Sequence, residues 1–349
     1  CHHMAPMQQT SSVSVFTMRV DVAVELFMML SGFMYQYNYG EEDFTKSKEG
    51  LSRFYVIRLT RILITTQVSM VLSMCFWSLG YVFGQGKSIL NLDSLGCLLF
   101  LKPWVDPEPD CPNAPSWFIA ATLPSWLLYP VVTQHVIRRV TTGAGLVLLS
   151  VLAWLAAISP QLLIMAAQGS WLSWGQVKMT WFWPPAQLAD FALGCGVAAL
   201  VLRAPPPQWA SRVADVAMAV VLLACLFVPV CSTPVDWDGP VFRPGHYMDW
   251  DALSGRLAAP LLAIWIYCSS QGNSTALTAR CLSHPVLVQL GAYTLEVYLL
   301  QTPLHDCFTW TKDVLQLNPK STEVFVLYLL LLWFGSAWLV EAVSAPADK

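Results

Sequence analysis

The chain has 349 residues, of which 56% are hydrophobic and only 12% are charged. Soluble domains carry roughly 25% charged residues, so this composition excludes an ordinary soluble protein and is typical of a chain embedded in a lipid bilayer. The net charge of −3 and the lack of a long basic run argue against a nucleic-acid partner. We therefore expect a single integral membrane domain over residues 1–349.

Nine segments are long and apolar enough to be predicted as transmembrane helices, since a helix needs about 20 mostly apolar residues to cross the bilayer. In chain order they are Val20–Tyr39, Phe54–Phe83, Trp117–Val136, Leu146–Ala167, Leu188–Leu202, Val213–Val230, Leu253–Cys268, Val286–Pro303 and Val324–Val340. The predicted fold class is therefore all-α, a polytopic transmembrane bundle. Because the chain begins at Cys1 without Met, we also expect its first residues to be the end of a truncated first helix.

Basic residues cluster in the short loops on one side of these spans. They are Lys46, Lys48, Arg53, Arg58, Arg61, Arg138, Arg139, Arg203, Arg212 and Arg280. The positive-inside rule predicts that this side is cytoplasmic. The opposite loops are rich in Asp, Pro and Trp, as in Trp104–Cys111 and Pro234–Asp251. Cys111 and Cys231 lie in polar connections, which makes either a candidate for a disulfide bond.

Glu25 is the first candidate functional residue, since a carboxylate inside an apolar helix is costly and marks a functional site by default. The following Ser31-Gly32 pair predicts close backbone approach between helices, so the alternative interpretation is a packing notch beside an interfacial glutamate. Arg58 and Arg61 lie three residues apart on one helix face, and their guanidinium groups suit an anionic, phosphate-bearing cofactor. The alternative for this pair is ordinary anchoring at the membrane surface.

The remaining candidates are polar or aromatic residues at the ends of predicted spans or inside them: His2, His3, Trp117, Asp190, Glu296, Tyr298 and Gln301. A histidine titrates near neutral pH and acts as a general base when it is held near the attacking hydroxyl. Trp117 suits an anchor at the membrane interface. Polar groups at membrane depth, such as Glu296 and Gln301, need partners on neighbouring helices.

In their order and spacing these segments resemble the acyltransferase-3 family of integral membrane acyltransferases. The motifs are V-E-L-F before Ser31-Gly32-Phe33, the F-x3-R-x2-R-I helix start, the P-x-W opener at Pro115, the P-x5-D-F-x-L-G segment around Asp190, and the late helix with Y-L-L at Tyr298. The resemblance runs from His2 or His3 to about Pro303. Family members have ten helices, which agrees with nine predicted spans plus the end of a first helix.

The resemblance implies transfer of an acyl group, usually acetyl, from acyl-CoA on the cytoplasmic side to a hydroxyl of a sugar, glycolipid or small metabolite. It implies that His2 or His3 is the catalytic base, that Glu25 belongs to the catalytic motif, and that Arg58 and Arg61 bind the phosphates of acyl-CoA. Acyl-CoA would be a co-substrate, with no permanently bound cofactor and no metal. Other motif positions would shape the protein or its substrate pocket: Ser31, Gly32, Trp117, Asp190, Tyr298 and Gln301.

The chain departs from the family motifs at four positions. Thr122 stands where members usually have Glu, Trp126 where they have Tyr, Gln301 where they have His, and Ile64 where they have Pro. These differences fit either a divergent acceptor site or a relative that no longer catalyses. The retained His, Arg and Ser-Gly-Phe elements favour activity.

A transporter is an alternative of a different class, since intramembrane carboxylates would also line a polar pathway. Against it, the sequence lacks the two similar halves of many transporter folds. A catalytically silent relative that binds an acyl lipid is a further alternative. The sequence places the protein in a membrane, in contact with lipid, without distinguishing the plasma membrane from internal membranes.

Overall fold

The computed structural model of the chain describes residues 20–44, 48–82, 92–106, 111–169, 172, 176, 178–227, 248–271, 274–314 and 322–344. Within these ranges the regular structure is helical and includes no β-strand. Of the candidate residues named above, His2, His3 and Cys231 lie outside these ranges, as do Lys46 and most of the segment Pro234–Asp251.

The helices follow one another as α1 Val20–Tyr39, α2 Lys48–Val82, α3 Leu92–Leu98, α4 Lys102–Val105, α5 Ser116–His135, α6 Gly143–Gln168, α7 Pro184–Arg203, α8 Ala210–Phe227, α9 Met248–Ser269, α10 Leu277–Leu282, α11 Pro285–Gly291, α12 Thr294–Val314 and α13 Thr322–Leu339. A 3₁₀ turn, Ile137–Arg139, follows α5, and π-helical segments precede α7 at Lys178–Phe182 and follow α13 at Val340–Ser344. The all-α prediction is confirmed for the described part of the chain.

The chain divides into two compact units. Of the described residues, unit 1 comprises those within 47–120 and 285–349, and unit 2 comprises those within 9–46 and 121–284. In unit 1, α12 packs against α2 and α13. In unit 2, α7 packs against α1, α6 and α9, while α8 packs against α9. The expectation of one domain over residues 1–349 stays a prediction.

Helix α7 is the most enclosed helix of unit 2, with most of its side chains buried. Its start is set by Pro184 and Pro185, whose missing N–H groups and fixed φ angle suit the first turn of a helix. Arg203 lies in the last turn, where a cation complements the negative end of the helix dipole. Both ends of this central helix are therefore specified locally.

The predicted span Val286–Pro303 is wrong, because the structure divides it between α11 and α12. Gly291 ends α11, and the Thr294 hydroxyl donates to the Gly291 carbonyl over 2.8 Å at the start of α12. Glycine destabilises a helix because its backbone loses more conformational freedom than that of other residues. The helix therefore ends at Gly291, although the apolar run is long enough to cross a bilayer. Helix α12 then continues through Pro303 to Val314.

Three helical segments in the described residues are long and apolar enough to cross a membrane: Glu49–Ser78, Gly143–Gln168 and Pro184–Arg203. The predicted count of nine spans is not confirmed. Helix α6 shows the polarity expected of a helix in lipid, since Leu163 is 67% exposed whereas Gln161 is fully buried. Leu148, Leu152 and Leu155 are also exposed along this helix, so an apolar surface faces outward.

Helices α1 and α7 run parallel with their backbones in contact. A Cβ atom on Gly32 would lie 2.0 Å from the Phe191 carbonyl oxygen, and one on Gly194 would lie 1.9 Å from the Met29 carbonyl oxygen. Only a residue without a side chain fits at either position, as in other close helix pairs in membranes. This backbone contact fixes the distance between α1 and α7, and therefore the space left for the side chains between them.

We expect Gly32→Ala and Gly194→Ala to destabilise the protein, because an added methyl group meets backbone that cannot move aside. Overpacking of this kind costs about 1–3 kcal/mol. The control is Gly291→Ala, whose added Cβ meets nothing within 4 Å. Thermal unfolding in detergent should show lower melting temperatures for the first two variants, with the control unchanged or slightly raised. Equal melting temperatures for all three would contradict the close contact.

A disulfide bond joins Cys97, in α3, to Cys111, which precedes α5. The sequence analysis gave Cys111 as a candidate for a disulfide bond, and its partner in the structure is Cys97. Disulfides persist in oxidising compartments and are rare in the cytosol. The bond therefore agrees with the predicted non-cytoplasmic location of the loop Trp104–Cys111.

We expect two additional thiols to react with a maleimide-linked polymer after reduction of the wild-type protein. The Cys97→Ser/Cys111→Ser double variant should lack this gain, since both partners are gone. A gel-shift assay on intact vesicles, with the membrane-impermeant reductant TCEP added outside or inside, measures both the bond and its side. Labelling of these two cysteines without reduction would disprove the bond, and reduction by TCEP from the cytoplasmic side alone would disprove the predicted orientation.

Candidate active site

Three charged side chains meet in the interior of unit 2. Glu25 on α1, Asp190 on α7 and Arg256 on α9 each have a side-chain exposure of 0%. The Arg256 Nε atom lies 3.5 Å from Glu25 Oε1, and its Nη2 atom lies 3.5 Å from Asp190 Oδ2. Removing one partner of a buried ion pair typically costs about 3–5 kcal/mol, so the charges of this buried triad depend on one another.

Arg256 is held in place by main-chain oxygens of two neighbouring helices. Its Nη1 donates to the Ala157 carbonyl of α6 over 2.5 Å, and its Nη2 donates to the Ala186 carbonyl of α7 over 3.2 Å. The carbonyl of Arg256 itself accepts a hydrogen bond of 2.8 Å from the Trp154 indole. The guanidinium group is thus oriented by hydrogen bonds to neutral acceptors and keeps its charge for the two carboxylates.

The carboxylates have fewer donors than their oxygens can use. The Trp181 indole donates to Glu25 Oε1 over 3.2 Å, and the Gln187 amide donates to the Trp181 carbonyl. Glu25 and Asp190 also interact with each other directly. No N–H group or hydroxyl side chain of the described residues donates to Glu25 Oε2 or to either oxygen of Asp190. Three of the four carboxylate oxygens therefore keep unused acceptor capacity within the described part of the chain.

The charge balance of the triad adds a second chemical property. Two carboxylates and one guanidinium carry one negative charge when all three are ionised. Uptake of one proton by the carboxyl pair would make the cluster neutral.

The triad lies at one level within unit 2. Glu25, Asp190 and Arg256 are about 8 to 12 Å along the helix axes from the first residues of α1, α7 and α9. These three helices are parallel, and they begin at the end of the unit opposite to Arg203. The basic residues predict that the triad end faces away from the cytoplasm.

The two departures from the family pattern on α5 contact α1 next to Glu25. Thr122 is fully buried, and its hydroxyl lies 3.3 Å from the Met28 sulfur. The Trp126 indole donates to the Ser31 hydroxyl over 2.9 Å. Both side chains therefore fill positions beside the candidate site and have partners on the helix that carries Glu25.

Unit 1 contains a second ion pair, in which the carboxylate is buried. Arg61 Nη2 lies 3.3 Å from Glu296 Oε1, with the Glu296 side chain fully buried and the Arg61 side chain 34% exposed. Arg61 is thus one partner of the buried Glu296 carboxylate. Arg58, one turn earlier on α2, is half-buried. The arginine pair therefore includes one residue that balances a buried carboxylate.

The other predicted pocket residues of unit 1 lie near α12 and α13. The Tyr298 ring packs edge-on against Phe118 at a centroid distance of 6.0 Å, and Phe118 also contacts the Trp117 ring at 5.9 Å. The carbonyl of Gln301 accepts a hydrogen bond of 3.1 Å from the Tyr328 hydroxyl. These contacts are ordinary helix packing, so the predicted pocket roles of Trp117, Tyr298 and Gln301 stay predictions.

The structure brings Glu25 and Asp190 together through a residue that the sequence interpretation missed. Arg256 lies inside the predicted span Leu253–Cys268, where the rule that singled out Glu25 applies equally to an arginine. Trp181 was also missed, and its short π-helical segment carries no sequence signal that we recognise. The catalytic roles of His2 and His3, which the described residues do not include, stay predictions.

A comparison with models of protein families supports the motif-based resemblance. The acyltransferase-3 model, an acyltransferase domain, matches residues 1–341, nearly the whole chain. Comparisons with curated proteins and with solved structures found no match. The chain thus belongs to the acyltransferase-3 family of membrane acyltransferases.

Proposed function

We propose that the protein is an O-acyltransferase that moves an acyl group, in the first instance acetyl, from acyl-CoA to a hydroxyl of a carbohydrate, lipid or small metabolite. Family membership supports acyl transfer as the reaction. The choice of a hydroxyl acceptor rests on the buried triad, because three of its four carboxylate oxygens have no N–H or hydroxyl donor among the described residues.

In the proposed reaction the acceptor oxygen attacks the carbonyl carbon of the thioester. The new bond joins the acceptor oxygen to the acyl carbon, the carbon–sulfur bond breaks, and the acceptor proton ends on the released thiol of CoA. A hydroxyl that donates to Asp190 or Glu25 is oriented in a site shielded from water, which contributes to the rate because the reacting groups lose little further freedom. His2 or His3 is the proposed general base for that proton.

Arg256 has a positioning role in this proposal. Its contacts with α6 and α7 hold the guanidinium between Glu25 and Asp190, so both carboxylates stay at membrane depth without a free counter-ion. Trp181 fixes one Glu25 oxygen through its indole N–H and leaves the other available. The acceptor site is thus preorganised by residues that do not themselves react.

Arg58 and Arg61 are the proposed donor-binding residues, since guanidinium groups match the geometry of phosphate. The Glu296 carboxylate holds the Arg61 side chain in one orientation. The Arg58 side chain lies one turn earlier on α2 and is half-buried. The pair would contribute two guanidinium contacts to the phosphates of acyl-CoA.

The acceptor proposal is tested with Glu25→Gln and Asp190→Asn, which keep side-chain size and remove negative charge. We expect each to lower the rate of thiol release from acetyl-CoA by about 100-fold or more, the usual range for a lost acid–base or orienting group. Thiol release by purified protein in lipid nanodiscs, with and without added sugar and lipid acceptors, measures this rate. The matched control is Asp215→Asn, since Asp215 instead accepts hydrogen bonds from the start of α10.

Full activity of a folded Asp190→Asn variant would rule out the triad as the acceptor site. If the wild-type protein releases no thiol but carries a labelled solute across a proteoliposome membrane, the acyltransferase proposal fails in favour of a transporter. If it binds an acyl lipid with no turnover, the silent-relative alternative is favoured.

The donor proposal is tested with Arg58→Gln and Arg61→Gln. Hydrogen bonds to charged groups contribute about 1.5–3 kcal/mol, so we expect each variant to raise the KM for acyl-CoA about tenfold or more. Arg61→Gln also leaves the buried Glu296 carboxylate without its Arg61 ion pair. The Arg61→Gln/Glu296→Gln double variant therefore separates the loss of donor binding from the loss of stability. The double variant should regain thermal stability without regaining donor affinity. The control is Arg53→Gln, a change at an exposed residue of the same helix. An equal KM for acyl-CoA in all variants would show that Arg58 and Arg61 serve only as membrane anchors.

A further inference from the structure

A basic cleft lies at the end of unit 2 opposite to the buried triad. It has a volume of about 270 Å³ and is lined by Gln36, Gly40, Glu41, Arg138, Ala199, Leu202 and Arg203. The lining comes from the end of α1, the 3₁₀ turn after α5, and the end of α7. Along α1 the cleft is about 16 to 22 Å from Glu25, so it is separate from the candidate acceptor site. We call it the Arg138–Arg203 cleft.

Both arginines of the cleft are oriented by neutral acceptors. Arg138 donates from Nε to the Gly40 carbonyl over 3.1 Å and from Nη1 to the Gln134 side chain over 3.3 Å. Arg203 donates from Nη2 to the Ile137 carbonyl over 3.4 Å. Since each guanidinium has five N–H donors, most of the donors in the cleft have no acceptor in the part of the chain that the structure describes.

The charge of the cleft is not balanced by an ion pair. Within the described ranges, no carboxylate lies within ion-pair distance of Arg138 or Arg203. Glu41 is the acidic residue of the lining, so the cleft carries two positive charges and one negative charge. An anion with several acceptor oxygens would accept hydrogen bonds from the remaining N–H donors of both guanidinium groups.

We propose that the Arg138–Arg203 cleft binds a phosphate group. Guanidinium groups recognise phosphate in a bidentate manner, and phosphate is the abundant anion at a membrane surface. Whole small-molecule ligands occupy pockets of roughly 300–1,000 Å³, so a cleft of about 270 Å³ takes the phosphate and the first atoms of its substituent. The remainder of the ligand projects outward on the face that the basic residues predict to be cytoplasmic.

The phosphate has two chemical sources, a membrane lipid headgroup or a soluble nucleotide such as the CoA moiety of an acyl donor. The competing explanation is structural, because Arg203 in the last turn of α7 also complements the helix dipole. A structural role predicts lower stability of the Arg203 variants without any effect on phosphate binding. The inference goes beyond the proposed function and does not depend on it, since binding is measured without turnover.

The experiment measures thermal stabilisation of the full chain in neutral detergent by two probes, dioctanoyl phosphatidic acid and CoA. Dioctanoylglycerol, which lacks the phosphate, is the probe control. The test variant is Arg138→Gln/Arg203→Gln, and the matched control is Arg139→Gln/Arg212→Gln, which removes the same charge from exposed residues that do not line the cleft. Arg203→Lys keeps the charge at the end of α7 and removes the guanidinium fork.

We expect at least one phosphate probe to stabilise the wild-type protein, and the probe with the lower half-maximal concentration identifies the source. The test variant should weaken that probe at least tenfold, Arg203→Lys should weaken it by a smaller factor, and the control variant should stay within twofold. The proposal is overturned if neither probe stabilises the wild-type protein more than dioctanoylglycerol. It is equally overturned if the control variant loses as much affinity as the test variant, or if Arg203→Lys and the test variant bind as tightly as wild type.

Discussion

A charge buried among apolar helices has to be neutralised by other charges, and in unit 2 Arg256 meets this requirement. Its guanidinium faces carboxylates from α1 and α7 while main-chain oxygens of α6 and α7 hold it in place. Four helices are thereby tied to one side chain with no exposed surface. With both carboxylates ionised, the triad keeps one excess negative charge, and the proposed acceptor site rests on this charge.

The glycine contact between α1 and α7 is the geometric condition for this arrangement. Gly32 and Gly194 allow the two backbones to touch, and the parallel direction of the helices then places Glu25 and Asp190 at the same level. A wider spacing would move the carboxylates apart and leave Arg256 able to reach only one of them. The Ser-Gly-Phe and D-F-x-L-G motifs therefore act together, one on each side of a single contact.

Buried charge compensation recurs in unit 1 with a different consequence. Arg61 balances Glu296, so a residue expected to bind an anionic donor is already engaged by a carboxylate. In the Arg138–Arg203 cleft of unit 2 the situation is reversed, since both guanidinium groups are anchored by neutral acceptors and keep their charge. The two proposed phosphate sites therefore differ in whether one of their arginines has a carboxylate partner.

The sequence by itself determined the all-helical membrane class and the family, and it singled out Glu25, Asp190 and Glu296 as candidates, because composition, apolar run length and the cost of intramembrane charge are local properties. It did not reveal the partners. Arg61 and Glu296 are 235 residues apart and Glu25 and Trp181 are 156 apart, and no periodicity encodes such pairings. Tertiary structure alone decided that Arg256 joins the two carboxylates, since this pairing depends on which helices pack together in unit 2.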